Sequence, residues 1–360
     1  MEEAVCECLR SQMKRQGPRE PLGFAQPDSR GRLSPHELCK PKSFLLPSSP
    51  NMRAAVIFGL GCSQKQLKPF RTDASIDWCI GMPLASSEAE VILIFGGDGT
   101  IHRHLSQLVR LRLPVLVVPV GSGNDLARAL GLHRVRDSLA AWRGFCQGQG
   151  NLREIDLGVI TPLEDAGGAP STIAQGRSAP HGSPHYFCCV AGVGLDGEVS
   201  RRAGALPRWL RGHGGYALTL VPTILRFAPL PVKISITGES AGWKIRSDQP
   251  TILATFANTP TYGGGMKIAP RAKLDDGLLN VCVIGGMNPF KLFCLFPTVY
   301  SGGHLQIRGV EYFQASRLRI ETETPLDVYA DGEYVCRTRV EVTVQHRAIR
   351  VIVHPSQTSF

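Results

Sequence analysis

Along residues 52–150, short runs of apolar residues alternate with segments whose apolar positions recur every third or fourth residue. The apolar runs are RAAVIFG, EVILIFGG and LPVLVVPVG. The segments with helical spacing are IHRHLSQLVRL, NDLARALGL and RVRDSLAAWRGFCQG. Apolar strands that lack polar alternation and are separated by helices predict a parallel sheet covered on both faces, as in an α/β domain.

The pattern changes after about residue 150, where many short strands follow one another between turn residues. A helical patch is predicted at 196–227. The predicted strands are LREIDLGVI, HYFCCVAGVG, VKISIT, WKIRSD, TILATFAN, LLNVCVIGG, RLRIETE, LDVYADGEYV, TRVEVTVQ and IRVIVH. Closely spaced strands of this kind indicate a mainly antiparallel β-sandwich.

These patterns divide the chain into three parts. Residues 1–51 are rich in proline, serine, arginine and glycine, and we predict that they form a disordered extension. We predict an α/β domain at 52–155 and a β-rich domain at 156–350, with the C-terminal residues packing back on the first domain. A cleft between the two domains is the default position for a binding site. Met52 directly precedes the first strand, and we hypothesise that it is the true start of translation, which an intact-mass measurement would test.

Composition narrows the range of partners. The 360 residues carry a formal net charge of +10, which favours nucleotide phosphates, anionic lipids or nucleic acid. The 11 cysteines include no C-x-x-C pair, so we expect reduced thiols in a cytoplasmic protein, several of them buried (Cys188, Cys189 and Cys282), and no metal finger. The N-terminus lacks the pattern of a signal peptide, and no run approaches the roughly 18 to 20 apolar residues of a membrane span. We therefore expect a soluble or peripherally membrane-associated protein.

The motif GGDGT, at Gly96–Thr100, stands where the second apolar run ends. Because glycines carry no Cβ atom, backbone N–H groups there can approach a phosphate closely, and the following helix offers its positive N-terminus. Asp98 would repel a bare phosphate, but it suits a site in which Mg²⁺ lies between the carboxylate and the phosphates. The alternative interpretation of GGDG alone is an ordinary tight turn.

A second glycine turn, Gly121-Ser122-Gly123, ends the next apolar run, and Asn124 or Asp125 is predicted to cap the helix that follows. Two such turns after adjacent strands predict one composite phosphate site. Other nucleotide motifs fit less well, because no P-loop pattern occurs. The segment GVGLDG, at 192–197, lacks the later acidic residue of a Rossmann fingerprint and is interpreted as a structural turn.

GGDGT followed by PVGSGNDLARALG resembles the catalytic domain of diacylglycerol kinases, which is shared with sphingosine kinases, ceramide kinases and bacterial lipid kinases. GGDGT alone is also found in NAD kinases and, nearly, in phosphofructokinases. Further segments fit in order, namely VAGVGLDGEV, FANTPTYGGGMKIAPRAKLDDGLLNVCVI and YADGEYV. The resemblance covers about 52–355. It implies a phosphofructokinase-like α/β nucleotide-binding domain, a β-sandwich acceptor domain, and ATP-dependent phosphorylation of a diacylglycerol-like or sphingoid hydroxyl.

The resemblance also implies roles for individual residues. Asp331 matches the general base, with Asp98 as the second catalytic residue. Asp98 and Asp125 would belong to the network around the catalytic Mg²⁺, and Asp275 and Asp276 in KLDDG match a structural Mg²⁺ site. The nucleotide would be bound by Gly96, Gly97, Asp98, Gly99, Thr100, Gly121, Ser122, Gly123, Asn124 and Glu333, while Asn258 and 263–265 would lie at the cleft between the domains. Without the resemblance, the Asp-Gly pair at Asp331 indicates a hairpin turn.

The sequence departs from the family pattern in three places. The first strand is followed by GLGCSQ, where Asn-Pro and Ser-Gly are usual. His102 and Arg103 replace the usual Asn-Glu after GGDGT, and Asn280 replaces an aspartate. Two alternatives to a lipid kinase therefore stay open. One is a kinase of a soluble acceptor such as NAD or a sugar phosphate, and the other is a nucleotide- or lipid-binding protein without catalysis.

A basic stretch suggests contact with a membrane. Residues 199–238 contain no aspartate or glutamate. They contain Arg201, Arg202, Arg208, Arg211, Arg226 and Lys233 among the apolar residues Leu206, Trp209, Leu210, Leu225 and Phe227. This mixture suits an anionic membrane surface, with a solvated basic helix face as the alternative. The stretch could also attract nucleic acid, but the sequence contains no recognised nucleic-acid-binding module.

Two further expectations concern partners and metals. A homodimer is the other partner that we consider. His102 and His104 are two residues apart on a predicted helix and point in different directions, so we do not expect them to form a metal site.

Overall fold

Parallel strands form the first part of the sheet, in the order β2-β1-β3-β4. They are β1 (Met52–Phe58), β2 (Ile76–Ile80), β3 (Val91–Gly96) and β4 (Pro114–Pro119). Every residue of β3 and β4 is buried, which explains why their sequences are apolar without alternation. The computed structural model describes residues 51–71, 73–163, 184–195, 197–199, 222–224, 227–237 and 242–357. Strand β2, at the edge of the sheet, has little apolar pattern and was not predicted.

Helices follow β3 and β4 as predicted, but they are shorter. They are α1 (Asp98–His102), α2 (Leu105–Leu111), α3 (Asp125–Ala129) and α4 (Val135–Cys146). The segment predicted as one helix from Ile101 to Leu111 is therefore divided between two helices, because the backbone departs from regular helical geometry at His104, with a φ of −109° and a ψ of −2°. A 3₁₀ helix, Gln64–Phe70, connects β1 to β2, and Trp142 of α4 donates a hydrogen bond of 3.1 Å from Nε1 to the Phe70 carbonyl.

The second part of the sheet is antiparallel. Its strands are β5 (Leu152–Pro162), β6 (His185–Phe187), β7 (Val190–Gly194), β8 (Leu230–Thr237), β9 (Trp243–Ala257), β10 (Leu279–Gly285), β11 (Val310–Ala315), β12 (Arg317–Thr322), β13 (Asp327–Ala330), β14 (Glu333–Arg337) and β15 (Val340–Ile352). Helix α5 (Pro289–Leu295) follows β10 and continues into the 3₁₀ helices Phe296–Tyr300 and Gly303–Gln306, and a last 3₁₀ helix spans Pro355–Gln357. The predicted fold class, an α/β part followed by an antiparallel strand-rich part, is confirmed.

Two strands are longer than predicted. β9 unites WKIRSD and TILATFAN, because Pro250 lies within the strand opposite Pro231 of β8 and does not end it. β15 unites TRVEVTVQ and IRVIVH, and its pairing with β5 shifts register between Gln345 and Ile349. In both strands the residues that interrupt the apolar pattern lie within one continuous strand, because pairing with the neighbouring strand resumes beyond them.

The C-terminal strand joins the two parts of the sheet. β15 pairs antiparallel with β12 and β5, and its last residues pair parallel with β4 through Arg350–Pro114 and Val351–Val115. The boundary between the predicted domains at 155 stays a prediction. No helix within the described residues has the length and apolar character needed to cross a bilayer. The predicted N-terminal extension and most of the helical patch at 196–227 lie outside the described residues.

Candidate active site

The two glycine turns lie against each other at the carboxyl ends of β3 and β4. A Cβ atom built on Gly121 would stand 2.5 Å from the Cα atom of Gly97, and one built on Gly97 would stand 3.1 Å from Gly121 Cα. Neither position therefore accepts a side chain without moving the other turn. Because β3 and β4 are parallel neighbours, both turns project from the same edge of the sheet.

Asp98 ties the first turn to the second. Its Oδ2 atom accepts a hydrogen bond of 2.9 Å from the Asp125 N–H, and its Oδ1 atom accepts one of 3.1 Å from the Leu126 N–H. The prediction that Asn124 or Asp125 caps α3 with its own side chain is therefore wrong. Asn124 has a φ of 56° and bonds back to Gly121, whose N–H donates to Asn124 Oδ1 at 3.1 Å.

Asp125 anchors a loop from the antiparallel part of the chain. Its buried carboxylate accepts hydrogen bonds from Thr261 Oγ1 at 3.0 Å and from the Gly264 N–H at 2.9 Å, and it pairs with Arg128. The GGG segment at 263–265 is thereby positioned beside the second glycine turn. Asn258 is fully buried behind this loop, where its Nδ2 donates to the carbonyl of Asp156 at 2.9 Å.

Asp331 occupies the turn of the β13–β14 hairpin, with a φ of 51°. Its side chain is completely buried. The carboxylate accepts hydrogen bonds from the N–H groups of Cys189 at 2.8 Å, Cys188 at 2.9 Å and Val190 at 3.3 Å. The hairpin interpretation of Asp-Gly and the placement of a carboxylate at the site are thus compatible, because the turn presents the side chain to the β6–β7 junction.

His102 bonds to the same carboxylate. Its Nδ1 atom lies 3.0 Å from Asp331 Oδ2, and since a carboxylate accepts, the ring nitrogen donates. Burial acts to lower the pKa of His102, but the hydrogen bond and charge of Asp331, with a contribution from Glu333, outweigh it and raise the pKa. The sequence analysis treated His102 as a departure from the family pattern and, with His104, as unsuited to a metal site. That departure was the one feature of the sequence that could have indicated a role for His102, because its partner Asp331 lies 229 residues away along the chain.

Three carboxylates lie close together here, and of these Asp125 pairs with Arg128 and Asp331 pairs with His102. Burial raises the pKa of Asp98 to about 6, and the charges of Asp125 and Asp331 add to this effect, while the two backbone hydrogen bonds oppose it. A raised pKa means that the ionised form is disfavoured in the absence of a cation. Carboxylate oxygens are the ligands that Mg²⁺ prefers, so this cluster fits a magnesium ion by its chemistry.

A cleft of about 390 Å³ opens over both turns. Its lining includes Gly96, Gly97, Asp98, Gly99, Thr100, Gly121, Ser122, Gly123, Asp125 and Asp331, together with Arg103, Cys189, Tyr262 and Gly263. Glu333 lies at its edge, with Oε1 3.1 Å from the place where a Cβ of Gly99 would stand. The altered first turn also reaches the cleft through Leu60 and Cys62, and Gly59 packs directly on Thr100.

Two predicted metal ligands lie elsewhere. Asp275 pairs with Arg153 at 2.8 Å, and Asp276 accepts a hydrogen bond of 3.1 Å from the Leu278 N–H. Neither lines the cleft, and their assignment to a structural Mg²⁺ site stays a prediction. The segment GVGLDG, predicted as a structural turn, begins on β7, where Gly192 and Gly194 pair with β9.

A second, apolar cavity of about 40 Å³ adjoins the cleft. It is lined by Leu195, Val199, Ile224, Leu253, Tyr262, Met266, Ile268, Ile284, Leu292, Leu295, Phe296 and Val299. Tyr262 lines both spaces, so a molecule with a polar head and an apolar tail could contact the two at once. None of these lining positions was predicted, because they come from segments distant in sequence.

Comparison with known proteins gives consistent matches. Residues 80–160 match the model of the diacylglycerol kinase catalytic domain, and residues 189–353 match that of the YegS C-terminal NAD kinase beta sandwich-like domain. A diacylglycerol kinase of Mycobacterium tuberculosis is 31% identical over 263 residues, which cover 73% of this chain and 76% of that protein. A diacylglycerol kinase of Bacillus subtilis is 27% identical over 271 residues, covering 75% and 79%.

Two matches of lower sequence identity are also named as lipid or diacylglycerol kinases. A Shewanella frigidimarina protein named "Probable lipid kinase YegS-like" is 22% identical over 270 residues, covering 74% of this chain and 77% of that protein. Among solved structures, a diacylglycerol kinase of Bacillus anthracis aligns with a TM-score of 0.56 at 16% identity, over 85% of this chain and 98% of that chain. At this identity the structural match shows the fold alone.

Proposed function

Because the chain belongs to the diacylglycerol kinase catalytic-domain family, we propose that it is an ATP- and Mg²⁺-dependent lipid kinase, which transfers the γ-phosphate to a lipid hydroxyl. One observation carries this proposal. The turns Gly96–Thr100 and Gly121–Gly123 touch each other and line one cleft, whose lining also includes Asp98 and Asp331. Phosphoryl transfer depends mainly on such positioning and on charge neutralisation.

The phosphates of ATP would lie along the bare backbone of the two turns. A side chain at Gly97, Gly99, Gly121 or Gly123 would meet a neighbouring residue, so these positions leave room for a ligand only as glycine. Asp98 would hold the Mg²⁺ through Oδ2, which accepts one backbone N–H and keeps a further lone pair, whereas Oδ1 accepts a backbone N–H and the Cys189 thiol at 3.8 Å. When bound, the ion would neutralise charge on the transferring group. Asp125 would act through the loop that it anchors, and Arg103 would add positive charge at the cleft.

Asp331 and His102 would handle the proton of the acceptor. As the bond from the acceptor oxygen to the γ-phosphorus forms and the bond to ADP breaks, the hydroxyl proton must leave the oxygen. A base beside that oxygen assists the transfer, since an alcohol is a very weak acid. Asp331 lines the cleft, and His102 holds its carboxylate through the 3.0 Å hydrogen bond. We therefore assign proton uptake to the Asp331–His102 pair.

The apolar cavity supports a lipid as the acceptor. A hydroxyl placed near Asp331 would lie in the cleft, and an attached hydrocarbon chain could pass Tyr262 into the space between Leu292, Leu295 and Met266. Burial of each methylene there contributes about 0.8 kcal/mol to binding. The phosphate and hydroxyl groups of a soluble acceptor such as NAD or a sugar phosphate would be disfavoured in this apolar cavity. We therefore propose a diacylglycerol-like or sphingoid acceptor.

An exposed aromatic surface supports peripheral membrane association. Phe290 and Phe293 on α5 are 75% and 46% exposed, and Tyr300 just beyond it is 52% exposed. The other side of the same helix lines the apolar cavity. Residues 277–310 contain no aspartate or glutamate, so this surface carries no charge that an anionic bilayer would repel. We propose that it contacts the lipid interface, while the basic stretch Arg201–Arg226 lies outside the described residues.

Incubation of the purified chain with radiolabelled ATP, Mg²⁺ and a total lipid extract tests the proposed function. We expect a labelled product that migrates with the lipids on chromatography and is absent with an Asp331→Asn variant. Parallel reactions with NAD and sugar phosphates separate the alternatives. Label in a soluble product instead would favour a soluble acceptor, and nucleotide binding without transfer to any acceptor would favour a non-catalytic binding protein.

A further inference from the structure

Two adjacent thiols converge at the base of the cleft. Cys188 and Cys189 connect β6 to β7, and their Sγ atoms lie 3.8 Å apart. Successive side chains of an extended strand point to opposite faces of the sheet, so neighbouring thiols normally diverge. Here the chain bends between the two strands and turns both thiols to one side. Both cysteines are buried, yet Cys189 lines the cleft and provides access to the pair.

The bend is held from both sides. The N–H groups of Cys188 and Cys189 donate to Asp331, and their carbonyls accept hydrogen bonds from Asn258, from Nδ2 at 3.2 Å and from the backbone N–H at 2.8 Å. The Asp331 carboxylate lies beside the thiols as well as the amides, with Oδ2 3.4 Å from Cys188 Sγ. Sulfur and carboxylate positions are therefore determined by the same set of hydrogen bonds, and little conformational freedom would be lost on binding a ligand.

These separations match those around a tetrahedral zinc ion. With Zn–S bonds of about 2.3 Å, two sulfur ligands of one ion stand about 3.8 Å apart. With a Zn–O bond of about 2.1 Å, a sulfur and an oxygen ligand stand about 3.6 Å apart. The observed values are 3.8 Å for Cys188–Cys189 and 3.4 Å for Cys188–Asp331. The three ligand atoms of Cys188, Cys189 and Asp331 all lie within 4.8 Å of one another.

We propose that Cys188, Cys189 and Asp331 form a binding site for a thiophilic divalent cation of the Zn²⁺ class, and that this cation inhibits phosphoryl transfer by occupying Asp331. The site differs from that of Mg²⁺, which prefers oxygen ligands. Three protein ligands leave a fourth position for water. On binding, each sulfur exchanges its proton for the metal, so two protons are released for each ion bound. The inhibition, though not the binding, rests on the proposed function.

Cobalt(II) reports on such a site directly, because thiolate ligands give it charge-transfer absorption in the near ultraviolet. The experiment uses the full chain under reducing, oxygen-free conditions. Cys6, Cys8 and Cys39 lie outside the described residues and include a second closely spaced pair, so all three are first replaced by serine. We expect one equivalent of Co²⁺ to bind with two-thiolate absorption and to be displaced by Zn²⁺. A chain that shows no thiolate absorption would overturn the proposal.

Variants assign the ligands. Cys188→Ser and Cys189→Ser should each halve the thiolate absorption and weaken Co²⁺ binding at least roughly tenfold, whereas Cys294→Ser, which changes an exposed thiol, should change neither. Equal binding by all three variants would refute the assignment. Should a core variant fail to fold, X-ray absorption of the Zn²⁺-loaded parent chain decides instead. Two sulfur scatterers are expected, and a shell of only oxygen and nitrogen contradicts the site.

Activity provides the second measurement. With Mg²⁺ and ATP in excess, Zn²⁺ should inhibit transfer in the parent chain, and Cys189→Ser should need at least roughly tenfold more Zn²⁺ for the same fractional inhibition. Equal sensitivity of parent and variant would contradict inhibition through this site. A chain that binds Co²⁺ through two thiolates but transfers no phosphate would instead remove the proposed function and leave the metal site standing.

Discussion

At the scale of single residues, the burial that suits Asp98 to its proposed role also lowers the free energy of unfolding at neutral pH. It is buried among other carboxylates, and its pKa is raised to about 6. In the absence of a cation, the folded state therefore binds a proton more tightly than the unfolded state does. The free energy of unfolding contributed by this group is highest below its unfolded pKa near 3.9 and falls by about 3 kcal/mol as the pH rises through 6.

Replacement of Asp98 by asparagine separates function from stability. We expect Asp98→Asn to reduce kcat/KM at least about a hundredfold, because the charge that would hold Mg²⁺ is lost. Without nucleotide and divalent cations, the variant should lack the decrease in unfolding free energy between pH 4 and 7, as measured by urea denaturation. Asp248→Asn, which changes an exposed carboxylate on β9, is the control. An unchanged pH dependence in Asp98→Asn would contradict the raised pKa.

His102 should set the acidic side of the pH profile. Its pKa is raised by Asp331, so the ring stays protonated to a higher pH than an ordinary histidine. The protonated ring stabilises the folded protein below its unfolded pKa near 6.5, and this contribution is lost as the pH rises through the folded value. If the Asp331–His102 pair takes up the acceptor proton, activity should increase over the range above pH 6.5 in which His102 loses its proton.

A His102→Asn variant tests this role. We expect a lower kcat, a KM for ATP within about twofold of the parent, and no ionisation step above pH 6.5 in the profile of kcat/KM against pH. His104→Asn is a matched control, since among the described residues the His104 side chain hydrogen-bonds only to nearby Gln107, with Nδ1 3.2 Å from Oε1. A parental pH profile in His102→Asn would show that the histidine only supports the structure.

At the scale of elements, the two glycine turns behave as one unit. Gly121→Ala would place a Cβ 2.5 Å from Gly97 Cα and push the turns apart. We expect at least roughly tenfold lower kcat/KM, because the phosphates would no longer meet both turns in the required geometry. Gly303→Ala, whose Cβ would meet nothing closer than 3.3 Å, should change stability by less than about 0.5 kcal/mol and leave activity unaltered. Equal activity of the two variants would contradict the proposal that both glycine turns bind the phosphates together.

Elements with a strong local pattern could be predicted from the sequence, and those that depend on distant partners could not. The strands β3 and β4 could be predicted from their own residues, because short continuous apolar runs separated by helical segments are typical of parallel strands covered on both faces. The length of β9 and the edge strand β2 depended on pairing with β8 and β1, which the residues of β9 and β2 alone do not indicate. The cap of α3 was misassigned, because its acceptor, Asp98, belongs to another turn.

The same reasoning explains which site residues escaped prediction. GGDGT and GSGND predict a phosphate site from local sequence alone, through glycines that follow two apolar strands. His102, Cys188 and Cys189 have no such local signature, since their meaning arises only where Asp331 brings them together. The roles of the residues at the cleft remain proposals, which the variants above can decide.

At the scale of the whole molecule, α5 should govern attachment to lipid. We expect a Phe290→Ser, Phe293→Ser double variant to bind anionic vesicles at least roughly tenfold more weakly in sedimentation, because two exposed rings no longer enter the interface. Transfer to a short-chain, water-soluble acceptor should persist, since neither ring lines the cleft. Ile80→Ser, which removes a 57% exposed apolar side chain from β2, is the control. Parental vesicle binding by the double variant would rule out this surface.

The pairing of β15 with β4 determines when the parallel part of the sheet can be completed during biosynthesis. Strand β4 belongs to the part of the chain that the ribosome makes early, yet one edge of it pairs with residues 350 and 351. During biosynthesis the N–H and C=O groups of that edge stay unpaired, and so open to pairing with another strand, until residues 350 and 351 have been made. The parallel part of the sheet is therefore completed only after β15 has been made, and we expect nascent chains that stall before Val340 to bind chaperones.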